Sequence, residues 1–189
     1  MNQIASDVKQ STYYRDYTPA KGNENARKAI ALLENLKFTQ PIYTKENICF
    51  TTGSTGGITS LFEYIKTTDQ RAEILIQTPN YYLYKFAATY LQIPYQEVVP
   101  QNLDQKNSFI SSESIRSAIT TKTKLIIITN PANPSGEIYD VAALRQILKT
   151  AKEKNILVLV DELFSDLVFD PSQFTPADQI ASDINALNN

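Results

Sequence analysis

Apolar positions along this chain switch repeatedly between a helical period and short unbroken runs. Residues 25–36 place Ala26, Ala29, Ile30 and Leu33 at helical spacing. Residues 48–52 form a short apolar and β-branched run that predicts a strand. Gly53-Ser54-Thr55-Gly56-Gly57 then turns into a helix carrying Ile58, Leu61, Phe62 and Ile65 on one face. Residues 74–77 predict a second strand, broken by Thr78-Pro79-Asn80-Tyr81, and residues 83–91 a helix. A strand over 96–99 and a helix over 111–119, behind a serine N-cap signal, follow. Residues 125–129 are all apolar or β-branched, the composition of a parallel strand covered on both faces. A long amphipathic helix over 141–154 and a buried strand over 156–160 complete the pattern.

Strands alternating with helices from 48 to 160 predict parallel βαβ units. The fold class is therefore α/β, a three-layer α/β/α sandwich with a mostly parallel sheet. The first dozen residues read as a short helix or arm, and residues 13–22 as a tyrosine-rich loop. After Asp170 comes a polar, proline-bearing tail with a weak helical pattern. The expected organisation is a single domain over 1–189: arm and loop 1–22, βαβ core 23–170, polar tail 171–189.

Composition narrows the chemistry. A net charge of -2 offers no basic excess for nucleic-acid phosphates. The absence of histidine excludes Ser-His-Asp and Cys-His triads and histidine metal sites. The single cysteine, Cys49, rules out a disulfide within the chain and reads as a buried strand residue rather than a reactive thiol. No apolar run approaches membrane-spanning length and the first residues lack a signal-peptide core, so a cytoplasmic protein is expected.

In open α/β sheets, ligands sit at the carboxyl ends of the strands, and candidate chemistry falls at that end repeatedly. Gly53, Ser54 and Thr55 lie in a small-residue turn between a strand and a helix, where the backbone can approach an anion closely and the following helix N-terminus presents free N–H groups. Tyr81 follows a strand and offers an aromatic face to a planar heterocycle. Asn133 sits between two Asn-Pro steps, Asn130-Pro131 and Asn133-Pro134, which constrain the loop and can aim its amide into a pocket. Asp161 ends a buried strand and needs a partner there: a protonated pyridine nitrogen, a Lys or Arg, or a metal. Glu162 is read as pointing away, in a structural role.

Together these residues resemble the large domain of the class I/II aminotransferases, fold-type-I enzymes dependent on pyridoxal 5′-phosphate (PLP). The resemblance runs from about Tyr17 to Asp170. It implies that Gly53, Ser54 and Thr55 hold the cofactor phosphate and that Tyr81 stacks on the ring. It further implies that Asn133 bonds the phenolic oxygen, that Asp161 pairs with the pyridinium nitrogen, and that Tyr17 reaches the phosphate of a neighbouring subunit. The implied reaction moves an amino group between an amino acid and a 2-oxo acid, in a homodimer or with a complementing C-terminal half. Two departures accompany the matches. Phe164 stands where the family usually has a tyrosine. The last of thirteen lysines is Lys154, before Asp161, whereas the family's Schiff-base lysine follows the aspartate. The chain is therefore expected to stop short of the lysine's strand and to be inactive alone; the alternatives are a non-catalytic PLP-binding or dimerising module, or a PLP-dependent lyase or decarboxylase of the same fold.

Overall fold

The computed structural model describes residues 17–100 and 111–187. It divides into two compact units, Met1–Thr52 and Gly53–Asn189. The expected N-terminal arm lies outside the described residues.

In the first unit, Asn23 caps helix α1 (Glu24–Asn35) by accepting the Ala26 N–H. Arg27, on α1, is buried and donates to the carbonyls of Lys45 (2.6 Å) and Gly22 (3.3 Å), tying the loop before the helix to the chain after it. Gly22 has φ +94°, and an added Cβ would lie 2.7 Å from the Phe50 ring, so both conformation and space require glycine. The strand expected over residues 48–52 does not form. Among the described residues no strand pairs with it; only the Phe50 N–H bond to the Lys21 carbonyl (3.0 Å) resembles a ladder contact. Cys49, expected to be buried, is exposed for the same reason: a short apolar run without a neighbouring strand has nothing to bury it.

The second unit opens with α2 (Gly53–Thr68), so residues 53–57 are the helix's first turn rather than a loop before it. Then follow β1 (Glu73–Gln77), α3 (Tyr82–Tyr90), β2 (Tyr95–Val98), α4 (Ser112–Ala118), β3 (Thr123–Thr129), α5 (Val141–Glu153), β4 (Leu157–Asp161) and α6 (Ala177–Asp183). The expected serine cap holds, Ser111 accepting from the Ser114 N–H, and Asp140 caps α5 by accepting from Ala142 and Ala143.

Among the described residues four strands form one sheet, all parallel, in the order β2-β1-β3-β4. Successive strands leave β1 in opposite directions, which puts the topological switch point between β1 and β3. The two faces carry separate cores, giving the expected three layers. On one face Ile58, Phe62 and Ile65 of α2 and Leu83, Tyr84, Ala87 and Ala88 of α3 meet Ile74, Ile76, Leu125 and Ile127. On the other, Ile115, Leu144, Ile147 and Leu148 meet Leu75, Ile126 and Ile128. Each of the leucine, isoleucine and phenylalanine side chains contributes about 1.5–3 kcal/mol by leaving water. The segment after Asp170 does more than its polar composition suggests: Ala177, Ile180, Ala181 and Ala186 join this second core. Glu162 anchors it, accepting the Ala177 N–H at 2.7 Å, which agrees with a structural role.

Candidate cofactor site

The carboxyl ends of β3 and β4, the first turn of α2 and the start of α3 enclose a cavity of about 220 Å³. Ser54, Tyr81, Tyr84, Thr129, Asn133, Asp161, Leu163 and Phe164 line it. Four residues singled out from sequence (Ser54, Tyr81, Asn133, Asp161) thus line one cavity. Gly53 and Thr55 flank Ser54 in the same helical turn.

Local sequence explains each placement. Gly53 has φ +64°, a conformation that suits glycine, at the point where the chain enters α2. The first turn of any helix leaves N–H groups without intrahelical acceptors and carries the positive end of the helix dipole. A phosphate is suited to that position. No lysine or arginine is among the lining residues.

Tyr81 immediately precedes α3. Its ring packs edge-to-face on Tyr82 (4.8 Å between centroids) and on Tyr84 (5.9 Å), which holds its plane. The Tyr82 hydroxyl, then loss of solvent, raise the Tyr81 phenol above its ordinary pKa, while a hydrogen bond with Thr55 acts in the other direction.

The two asparagines of the 130–134 loop diverge. Asn130 is buried, and its Oδ1 accepts the Tyr139 N–H at 2.9 Å, closing the loop. The Ala132 N–H to Glu137 carbonyl bond (2.8 Å) and the Gly136 N–H to Ala132 carbonyl bond (2.7 Å) tighten it further. Asn133 carries no such structural duty and lines the cavity. The Asn130–Pro131, Asn133–Pro134 and Thr78–Pro79 peptide bonds are cis.

Asp161 is half-buried at the end of β4, opposite Thr129 in the register. Its Oδ1 accepts the Leu163 N–H at 3.2 Å, and its Oδ2 accepts the Tyr84 hydroxyl at 2.7 Å. No metal-type cluster of acidic or sulfur ligands exists among the described residues. Of the partners open to Asp161 on sequence grounds, a metal and a Lys or Arg therefore have no support in the lining. Tyr17 belongs to the other unit and is fully exposed.

Sequence reasoning missed Tyr84 and Thr129. Tyr84 is three residues beyond Tyr81, one helical turn on the same face, and that spacing was the available signal.

The whole of this arrangement falls within a stretch that a family model recognises. The model described as "Aminotransferase class I and II" matches residues 2–188.

This chain belongs to the class I and II aminotransferase family.

That family's enzymes depend on PLP. Tyrosine aminotransferase of Dictyostelium discoideum is 28% identical over 188 residues, 99% of this chain and 43% of that protein. Aspartate aminotransferase of Bacillus subtilis is 32% identical over 158 residues, 81% of this chain and 38% of that protein. Aspartate aminotransferase of Thermus thermophilus, solved with maleate, has the same fold, with a TM-score of 0.80 at 21% identity over 95% of this chain and 46% of that one. The chain thus spans less than half the length of the relatives it matches. The last lysine of these residues is Lys154, before Asp161 in the chain.

The cavity fits the family's cofactor in kind. A helix N-terminus suits a phosphate, an oriented aromatic suits a planar ring, and a carboxylate braced at the floor suits a cationic nitrogen. Phe164 also lines the cavity, so that side contributes an aromatic ring without a hydroxyl.

Proposed function

We propose that these residues form the PLP-holding part of an aminotransferase that moves an amino group between an amino acid and a 2-oxo acid. The observation that carries this reading is the convergence of Ser54, Tyr81, Asn133 and Asp161 on one cavity at the carboxyl ends of the strands. In it, Gly53, Ser54 and Thr55 hold the phosphate, Tyr81 stacks on the ring, and Asn133 donates to the phenolic oxygen. Asp161 faces the ring nitrogen and keeps it protonated by supplying the opposite charge. When bound, PLP supplies an electron-withdrawing ring for charge that develops at the substrate's α-carbon. Phe164 leaves Asn133 as the donor to the phenolic oxygen and excludes water on that side.

The reading extends to a cytoplasmic enzyme of amino acid metabolism in which 1–189 is one partial cofactor-binding domain. Tyr17 then reaches the phosphate in a neighbouring subunit of a homodimer. The lysine that binds the cofactor covalently comes from polypeptide outside these 189 residues, whether continuous with them or a complementing C-terminal half. A second reading, binding without turnover, is favoured by the lysine-free lining.

One experiment separates these readings. PLP is titrated into the purified chain, alone and together with the polypeptide encoded next to it, and borohydride is used to trap any covalent adduct. Saturable binding that Asp161→Asn weakens supports a cofactor site, and an adduct formed only with the added polypeptide supports the aminotransferase. Binding without an adduct in either mixture supports the non-catalytic module. Absence of saturable binding in both contradicts both readings.

A further inference from the structure

Among the described residues Asp161 sits on an edge strand of the sheet, where a carboxylate has few neighbours to orient it. Tyr84 supplies one. It is fully buried on α3, and its hydroxyl lies 2.7 Å from Asp161 Oδ2 and 3.0 Å from Thr129 Oγ1. A phenol has one proton to donate, and an ionised carboxylate can only accept. The Tyr84 proton therefore goes to Asp161, and the Thr129 hydroxyl must donate to Tyr84. Thr129 is held in turn, its backbone N–H bonded to Oε1 of buried Gln77 at 3.1 Å. β1, β3 and α3 thus converge on one oxygen of a residue on β4, in a one-way chain from Thr129 through Tyr84 to Asp161.

We infer that Tyr84 is a positioning residue: it fixes the Asp161 carboxylate so that its remaining lone pairs face a cationic ring nitrogen in the cavity. The assignment rests on Asp161 being the partner of that nitrogen. Burial also drives the Tyr84 phenol well above its ordinary pKa, so the hydroxyl keeps its proton across the neutral range.

The test uses two ligands on the 189-residue chain: pyridoxamine 5′-phosphate, and its benzenoid counterpart with carbon in place of the ring nitrogen. Tyr84→Phe removes only the hydroxyl. It is expected to weaken pyridoxamine 5′-phosphate about tenfold, as for a lost hydrogen bond to a charged group, and to leave the benzenoid ligand unchanged. Thr129→Val acts one bond further away and is expected to weaken only the first ligand, about threefold; it carries the test if Tyr84→Phe does not fold. A Tyr84→Phe protein that binds both ligands as the wild type does, or weakens both equally, overturns the positioning role, provided Asp161→Asn still discriminates between them. If the wild type binds neither ligand, or Asp161→Asn changes nothing, the cofactor reading fails and takes this inference with it.

Discussion

β3 and β4 are neighbours in register, have similar apolar sequences and end at the same cavity, yet they do different work. Ile126, Ile127 and Ile128 of β3 are fully buried because strands flank them on both sides and helices cover both faces. Every residue of β4 is half-buried, because among the described residues only β3 pairs with it. Pairing and cover, rather than composition, decide burial here. The strand that bears the key carboxylate is the less protected of the two. Its carboxylate is held from the well-packed side, by Tyr84 and Thr129.

The comparison breaks most visibly in stability. Ile127→Ala should cost about 2–5 kcal/mol in urea denaturation, as for a fully buried side chain replaced by a cavity. Val160→Ala on β4 should cost less, about 1–2 kcal/mol, since that side chain is smaller and only partly buried. Equal losses would contradict the account of β4 as the exposed edge.

Asp161→Asn should weaken binding of pyridoxamine 5′-phosphate at least about tenfold in calorimetry, with little change in thermal stability. A large fall in stability with unchanged affinity would make Asp161 a structural residue.

Glu162 gives the contrast within one dipeptide: Asp161 faces the cavity, and Glu162 holds α6. Glu162→Ala should lower stability by about 0.5–2 kcal/mol, as for a lost helix cap. Hydrogen exchange should rise at Ile180 and Ala181 and stay unchanged at Ile126.

The smallest effect lies in the first unit. Hydrogen bonds from Lys45 and then Lys28 lower the Glu24 carboxyl from 4.5 to about 2. A lowered carboxylate contributes stability above its unfolded pKa, and that contribution is lost as pH falls through the folded value. Acid titration should therefore show it fading between about 4.5 and about 2, and Lys45→Met should reduce it. The groups are exposed, so salt should weaken it too.

Much of this was legible along the chain. Unbroken apolar runs marked β1, β3 and β4, a serine N-cap signal marked α4, and amphipathic periodicity marked α5, each helix to within a residue or two. Local patterns sufficed there because those elements bury what their period exposes. Residues 48–52 read as a strand because strand propensity is local, whereas a ladder needs a partner that no local pattern contains. α6 was faint because its few apolar residues are mostly small, and Ala177 and Ala181 gain their importance only from what they touch. For the site, Tyr81 and Asn133 could be seen because each follows a strand, Asp161 because it ends one, and Ser54 because it lies in a run of small residues that leads into a helix. Tyr84 offered only its spacing from Tyr81, because an aromatic inside a helix reads as packing until its hydroxyl is seen to meet a carboxylate 77 residues away.

The central claim is that the cavity between the ends of β3 and β4 and the start of α2 receives PLP, ring nitrogen toward Asp161. A crystal structure of the chain with pyridoxamine 5′-phosphate tests it most directly. The account predicts the phosphate at the Gly53–Ser54–Thr55 turn, the ring against Tyr81 and the ring nitrogen within hydrogen-bond distance of Asp161. A phosphate bound instead in the neighbouring groove between Pro134 and Phe169, or a ring turned so that its nitrogen points away from Asp161, would contradict it.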